Sequence, residues 1–88
     1  MIDKYTAIDY VERLESLFLQ DECCECEEDI DVSLSDGVCH VSLKTIYTQM
    51  IYESLKEFTE ILKTADYFRI ERIDDTYTTF HISWNISV

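Results

Sequence analysis

The chain has no proline and a single glycine, so the usual punctuation of a fold is missing and hydrophobic periodicity has to locate the elements. Bases are scarce. Seven Lys and Arg face nineteen Asp and Glu, for a net charge of −12. A field of that sign repels nucleic acid and anionic lipid and draws basic surfaces inward. No apolar run approaches the roughly 20 residues that cross a bilayer. The acidic and polar stretch from Met1 to Tyr10 has the character of neither a signal peptide nor a basic transit peptide. These absences lead us to expect a cytoplasmic protein. There is also no Gly-rich phosphate loop and no nucleophile elbow. His81 stands in an alternating polar row with Ser83 and Asn85, and no carboxylate has a spacing that fixes it as a base. Glu53, Glu57 and Glu60 read as a solvated helix face, so the expectation is a protein that is not an enzyme.

What is present points to one folded domain. The 88 residues are near the lower end of what buries its own core, and a hydrophobic fraction of 47% argues that the acidity does not signal disorder. Ala7, Val11, Leu14, Leu17 and Phe18 recur at helical spacing over residues 7–20, with Thr6 and Asp9 approximating a capping box. From Ile30 the period becomes two. Ile30, Val32 and Leu34 alternate with polar residues, as do Cys39, Val41 and Leu43. Between the two runs lies Asp36-Gly37, a strong hairpin signal. A two-residue turn there pairs Ser35 with Val38, Leu34 with Cys39, Val32 with Val41 and Ile30 with Leu43. Every inward residue then meets an inward residue.

Residues 49–64 return to the helical period, with Ile51, Leu55, Phe58, Ile61 and Leu62 as the apolar stripe. Phe68 and Ile70 lead through Asp74-Asp75 into Phe80, Ile82, Trp84, Ile86 and Val88. The expected fold is α+β in the order α-β-β-α-β-β, a four-stranded antiparallel sheet with two helices packed on one face. Residues 6–47 and 48–88 read as a weak internal repeat, in which the two helical stripes match at a constant offset; the alternative is a chance similarity between two amphipathic helices. The surplus length of the first unit falls near Cys23-Cys24-Glu25-Cys26. The C-terminal strand is open as a sheet edge, and both monomer and homodimer remain open.

With no secretion signal, the four cysteines are expected to be reduced. Cys23, Cys24 and Cys26 contain a C-x-x-C, a spacing that aims two thiolates at one ion. Cys39 and His40 are the candidates for the second half. Adjacent strand residues face opposite ways, which favours a four-cysteine structural zinc site of Cys23, Cys24, Cys26 and Cys39, with His40 as a replacement for Cys24. Cys39 lies near the turn, roughly 14 Å along the strand from the level of Ile30, so residues 21–29 would have to fold back over the hairpin. The alternative is Cys39 as a small core residue and the cluster as loop thiols. A redox dithiol is disfavoured because the surrounding carboxylates would suppress the thiolate.

The charge is uneven. Residues 1–43 carry twelve acids and two bases, and residues 44–88 carry seven acids and five bases. The densest part includes Asp21, Glu22, Glu25, Glu27, Glu28, Asp29 and Asp31, with no base among them. The run lacks the spacing and glycine of a calcium loop. It imitates the charge of a nucleic-acid backbone and suits a groove lined with Arg and Lys, which makes Glu22, Glu25, Glu27, Glu28, Asp29 and Asp31 the candidate partner-binding residues. In size, charge, element order and the set Cys23, Cys24, Cys26 and Cys39, the chain resembles the small acidic anti-CRISPR proteins of phages and mobile elements. It is most similar to the zinc-containing kind that inhibits type II RNA-guided nucleases. The resemblance implies binding to a basic lobe or channel of the nuclease in a bacterial cytoplasm, a block on target DNA loading and no catalytic residues. Two other readings stay open: an immunity protein or antitoxin that neutralises a basic nuclease toxin, and a small zinc-binding scaffold module.

Overall fold

The computed structural model of the protein describes residues 1–20, 29–46 and 51–87. Helix α1 spans Lys4–Gln20 and buries Ala7, Val11, Leu14, Leu17 and Phe18, the five residues whose spacing marks its inner face. It begins one turn earlier than the sequence led us to expect. Asp3, not Thr6, is the cap: the Thr6 N–H donates to Asp3 Oδ1 at 2.7 Å, and the Ala7 N–H reaches the Asp3 carbonyl at 3.2 Å. An aspartate preceding the helix can satisfy an orphan amide of the first turn, which a threonine already inside it cannot.

Strands β1 (Ile30–Ser35) and β2 (Val38–Thr45) form the first hairpin in the expected register, from Ser35 opposite Val38 to Ile30 opposite Leu43. Asp36 and Gly37 both have positive φ, 54° and 75°. Two such residues in succession make the tight turn whose twist matches the strands.

Helix α2 (Tyr52–Leu62) buries Ser54, Phe58 and Ile61. This corrects the expected stripe: Ser54 lies inward, while Leu55 is 49% exposed and Ile51 is 51% exposed. The helix ends against Thr64, whose hydroxyl donates to the Ile61 carbonyl at 2.6 Å and accepts the indole N–H of Trp84 at 2.8 Å. Strands β3 (Tyr67–Arg72) and β4 (Thr78–Asn85) form the second hairpin. Its turn is held by Asp74, whose Oδ1 accepts the Thr76 and Tyr77 amides at 2.8 Å each.

The sheet is antiparallel with the order β1-β2-β4-β3. The second strand of each hairpin is therefore central. β4 lies inside the sheet and is not an edge, contrary to the possibility left open by the sequence; the outer strands are β1 and β3. Cys39, Val41 and Leu43 on β2 and Phe80, Ile82 and Trp84 on β4 share one core with both helices. Aromatic packing ties the layers together. Phe18 meets Phe58 edge-on at 5.1 Å, Phe58 meets Phe80 at 5.4 Å, and Tyr10 stacks on Trp84 at 5.9 Å.

The outer strands are less well covered. Val32 and Leu34 on β1 share the helix-side face with Val41 and Cys39, yet each remains more than 40% exposed. On β3, Phe68 stacks on Phe80 but is still 39% exposed, and Ile70 is 58% exposed. Two helices cover the two middle strands and leave the margins open. Among the described residues, no helix is long and apolar enough to cross a membrane.

Candidate functional site: an acidic helix groove and a polar sheet face

Cys23, Cys24, Cys26, Glu22, Glu25, Glu27 and Glu28 lie outside the described residues, so the proposed convergence of three thiols with Cys39 does too. Cys39 itself is described. It sits opposite Trp84 on the helix-covered side of β2, 1% exposed and unpaired with another cysteine. Burial pushes its thiol above the usual range. His40 is on the other face. A zinc site that includes Cys39 has to be built on the helix side, where His40 cannot join it. Among the described residues, no three His, Cys, Asp or Glu side chains converge as a metal group. Asp29 is half-buried just before β1, and Asp31 is exposed on β1 facing away from the helices.

The helix layer carries an acidic groove. An open cleft of about 330 Å³ between the helices is lined by Asp9, Glu12, Arg13, Ser16, Gln20 and Glu57, among others. Arg13 is its one base among the described residues. The guanidinium donates to Glu57 Oε1 from Nε at 3.3 Å and from Nη2 at 3.2 Å, and it approaches Asp9 at 4.0 Å. Both side chains of the Arg13–Glu57 pair are about 40% exposed, so the pair adds little stability. Its effect is local neutralisation: Arg13 is spent on Glu57, and Glu12 has no ion-pair partner among the described residues. Gln20, at the end of the groove, leads directly in sequence into Asp21 and Glu22.

The helix-free face of the sheet carries a second arrangement, which the sequence reading missed. His40 and Ser42 on β2 lie beside Ser83 and His81 on β4. The His40 Nδ1 to Ser83 Oγ distance is 2.6 Å, His40 Nε2 to Ser42 Oγ is 3.1 Å, and Ser42 Oγ to His81 Nδ1 is 3.1 Å. His81 Nε2 lies 3.3 Å from Glu71 Oε1 on β3, and the two imidazoles stack at 5.7 Å.

The ionised carboxylate fixes the direction of this chain, because it only accepts. His81 Nε2–H donates to Glu71, which leaves Nδ1 to accept the Ser42 hydroxyl. Ser42 then accepts from His40 Nε2–H, and His40 Nδ1 accepts the Ser83 hydroxyl. His40 is held below its ordinary imidazole range first by burial, then by the neighbouring His81, with Arg69 adding to the depression and Asp31 opposing it. The neutral form of His40 is thus the one that this network uses.

Glu71, His81 and Ser42 have the connectivity of acid, base and nucleophile. The surroundings differ from those of an acyl-transfer site. Ser42 is also tied to His40, and the ladders of β2 with β1 and with β4 engage the backbone amides at and beside it that could stabilise an oxyanion. A signal for the network does exist in the sequence. Placing the second turn between Arg72 and Thr78 sets Arg69 opposite His81 and brings Glu71 one pair away. Periodicity located β3, but without a register it did not bring Glu71 to His81.

Comparison of the chain with protein-family models, with curated proteins and with solved structures returns no match.

Proposed function

We propose that the chain is a binding protein that presents an acidic surface to a basic, nucleic-acid-handling partner and inhibits it by occupation. The observation that carries this reading is the groove between α1 and α2. Among the described residues its single base, Arg13, is shared between Glu57 and Asp9, and with Glu12 the three acids keep the local field negative. The groove also ends where the acidic run of residues 21–31 begins in sequence, so the described acids and those of the run belong to adjoining stretches of chain. A surface of this kind speeds association with Arg- and Lys-lined clefts and disfavours acidic partners. The resemblance drawn from the sequence makes a type II RNA-guided nuclease the first partner to test, with target DNA loading as the blocked step. A structural zinc on Cys23, Cys24 and Cys26, with Cys39 as the fourth ligand, remains part of the proposal.

Among the described residues the backbone amides around Ser42 are engaged in the sheet, which favours a reading without catalysis. The Glu71–His81–Ser42 chain is then a means of satisfying polar groups on a half-buried sheet face.

The test is binding and DNA-loading inhibition with a guide-loaded, cleavage-inactive type II nuclease. Inhibition should fall on the order of tenfold or more as salt rises from about 50 to about 500 mM. Reversing Asp9 and Glu12 to Lys, or Glu25, Glu27 and Glu28 together, should abolish inhibition while circular dichroism stays unchanged. Unaltered inhibition in both sets would place the binding surface elsewhere. Inhibition of a toxin nuclease and not of the guided enzyme would favour the immunity-protein reading. Metal analysis of protein purified without added zinc tests the cysteine site.

A further inference from the structure

The outer edge of β3 is self-complementary, and we propose that it joins a second copy of this chain in an antiparallel pair that extends the sheet. The proposal does not depend on the acidic-groove reading. β3 ends the sheet, with β4 on one side and no strand beyond it among the described residues. The ladder determines which of its backbone groups are free. The Ile86 N–H bonds to the Gly37 carbonyl at 2.9 Å, so the even residues of β4 bond toward β2. The Ile73 N–H bonds to the Tyr77 carbonyl at 3.2 Å, so the odd residues of β3 bond toward β4. Both observations give the same result: Phe68, Ile70 and Arg72 turn their N–H and C=O groups outward.

Those residues set the register. With Ile70 on the two-fold axis, Ile70 faces Ile70 of the second copy and Phe68 faces its Arg72. The outward backbone groups then meet as hydrogen-bonded pairs. On the helix side, Ile70 and Phe68, 58% and 39% exposed in one copy, cover each other across the axis. On the opposite face, Arg69 of each copy stands against Glu71 of the other, in the closer non-hydrogen-bonded positions. β3 carries Arg69 and Arg72 against one acid, so its local charge opposes that of the whole chain.

The other edge lacks this match. β1 has Asp31 as its only charged residue, so pairing it with itself forms no ion pair. Pairing β1 with β3 of another copy would give a head-to-tail contact that propagates instead of closing. The β3 pair closes on itself.

Sedimentation equilibrium over a wide concentration range tests the proposal. The chain, 10.4 kDa as a monomer, should dimerise reversibly. Arg69→Glu alone, or Glu71→Arg alone, puts like charges opposite each other twice and should weaken the dimer by about tenfold or more. An equimolar mixture of the two variants restores an opposite charge at every such position and should form a heterodimer at least as readily as the unaltered chain dimerises. Circular dichroism of each variant alone checks that it is folded. A chain that stays monomeric at all concentrations overturns the proposal. So does a dimer insensitive to either substitution, or a mixture of folded variants that fails to associate.

Discussion

Glu71 Oε1 lies 3.3 Å from His81 Nε2, and this contact at the sheet margin fixes where protons sit as far away as Ser83. Each group passes its one donor toward the carboxylate. At neutral pH both histidines should therefore carry their proton on Nε2. Long-range ¹⁵N–¹H correlation spectra of the imidazoles check this directly. A His81 protonated on Nδ1 would show that the chain does not run in this direction. Glu71→Ala should let the tautomers of both rings mix.

The same network sets a pH dependence. His40 is depressed below its ordinary value of 6.5, so the folded state binds its proton less readily than the unfolded chain does. Its contribution to stability is complete above about pH 6.5 and is lost as pH falls through the lower folded value. The groups facing it are His81 and Ser83 on β4, Asp31 on β1 and Arg69 on β3, with Glu71 holding His81. Urea midpoints should fall between pH 7 and pH 5, and His40→Gln should flatten that part of the profile. A slope unchanged by the substitution would assign it to other groups.

Thr64 joins the end of α2 to Trp84, a residue with no exposure. Thr64→Val keeps the shape and removes the acceptor of a buried indole N–H. The expected cost is about 1–3 kcal/mol by urea unfolding. Combining it with Trp84→Phe should give less than the sum of the two losses, because both remove one bond.

Cys39 should be silent toward thiol reagents in the native protein. Its 1% exposure and raised thiol pKa both oppose attack. Mass spectrometry after brief maleimide treatment should find Cys39 unmodified, and fully labelled only after denaturation. Rapid native labelling would mean that the core over β2 opens.

Much of the fold was legible because independent signals coincided. Asp36-Gly37 demanded a two-residue turn, and the alternation on each side demanded the same register, which the structure has. The cap of α1 was misplaced by one turn because Thr6 and Asp3 are both capping residues, and only the backbone path separates them. The stripe of α2 was wrong at Leu55 and Ser54. Periodicity reports which side of a helix is apolar; how far a neighbouring layer covers that side depends on where the helix docks. The polar site was harder to see for a related reason. Glu71, His81, Ser42 and His40 lie on three strands, and their proximity arises from two registers and a strand order that no single segment encodes. The acids of the helix groove were all visible as charges, but the capture of Arg13 by Glu57 depends on how α1 and α2 lie together.

The central position of β4 has a consequence for biosynthesis. β2 and β4 are joined along their whole length, from Val38 opposite Asn85 to Thr45 opposite Thr78. A ribosome that has released α1 and the first hairpin has exposed an inner strand whose hydrogen-bonding edge toward β4 is bare, and α1 alone is there to cover Val41 and Leu43. Nothing local can seal that seam until residues 78–85 have left the exit tunnel. The nascent chain is most vulnerable to misassociation during that interval, because the two hairpins are joined only when the β2–β4 ladder closes.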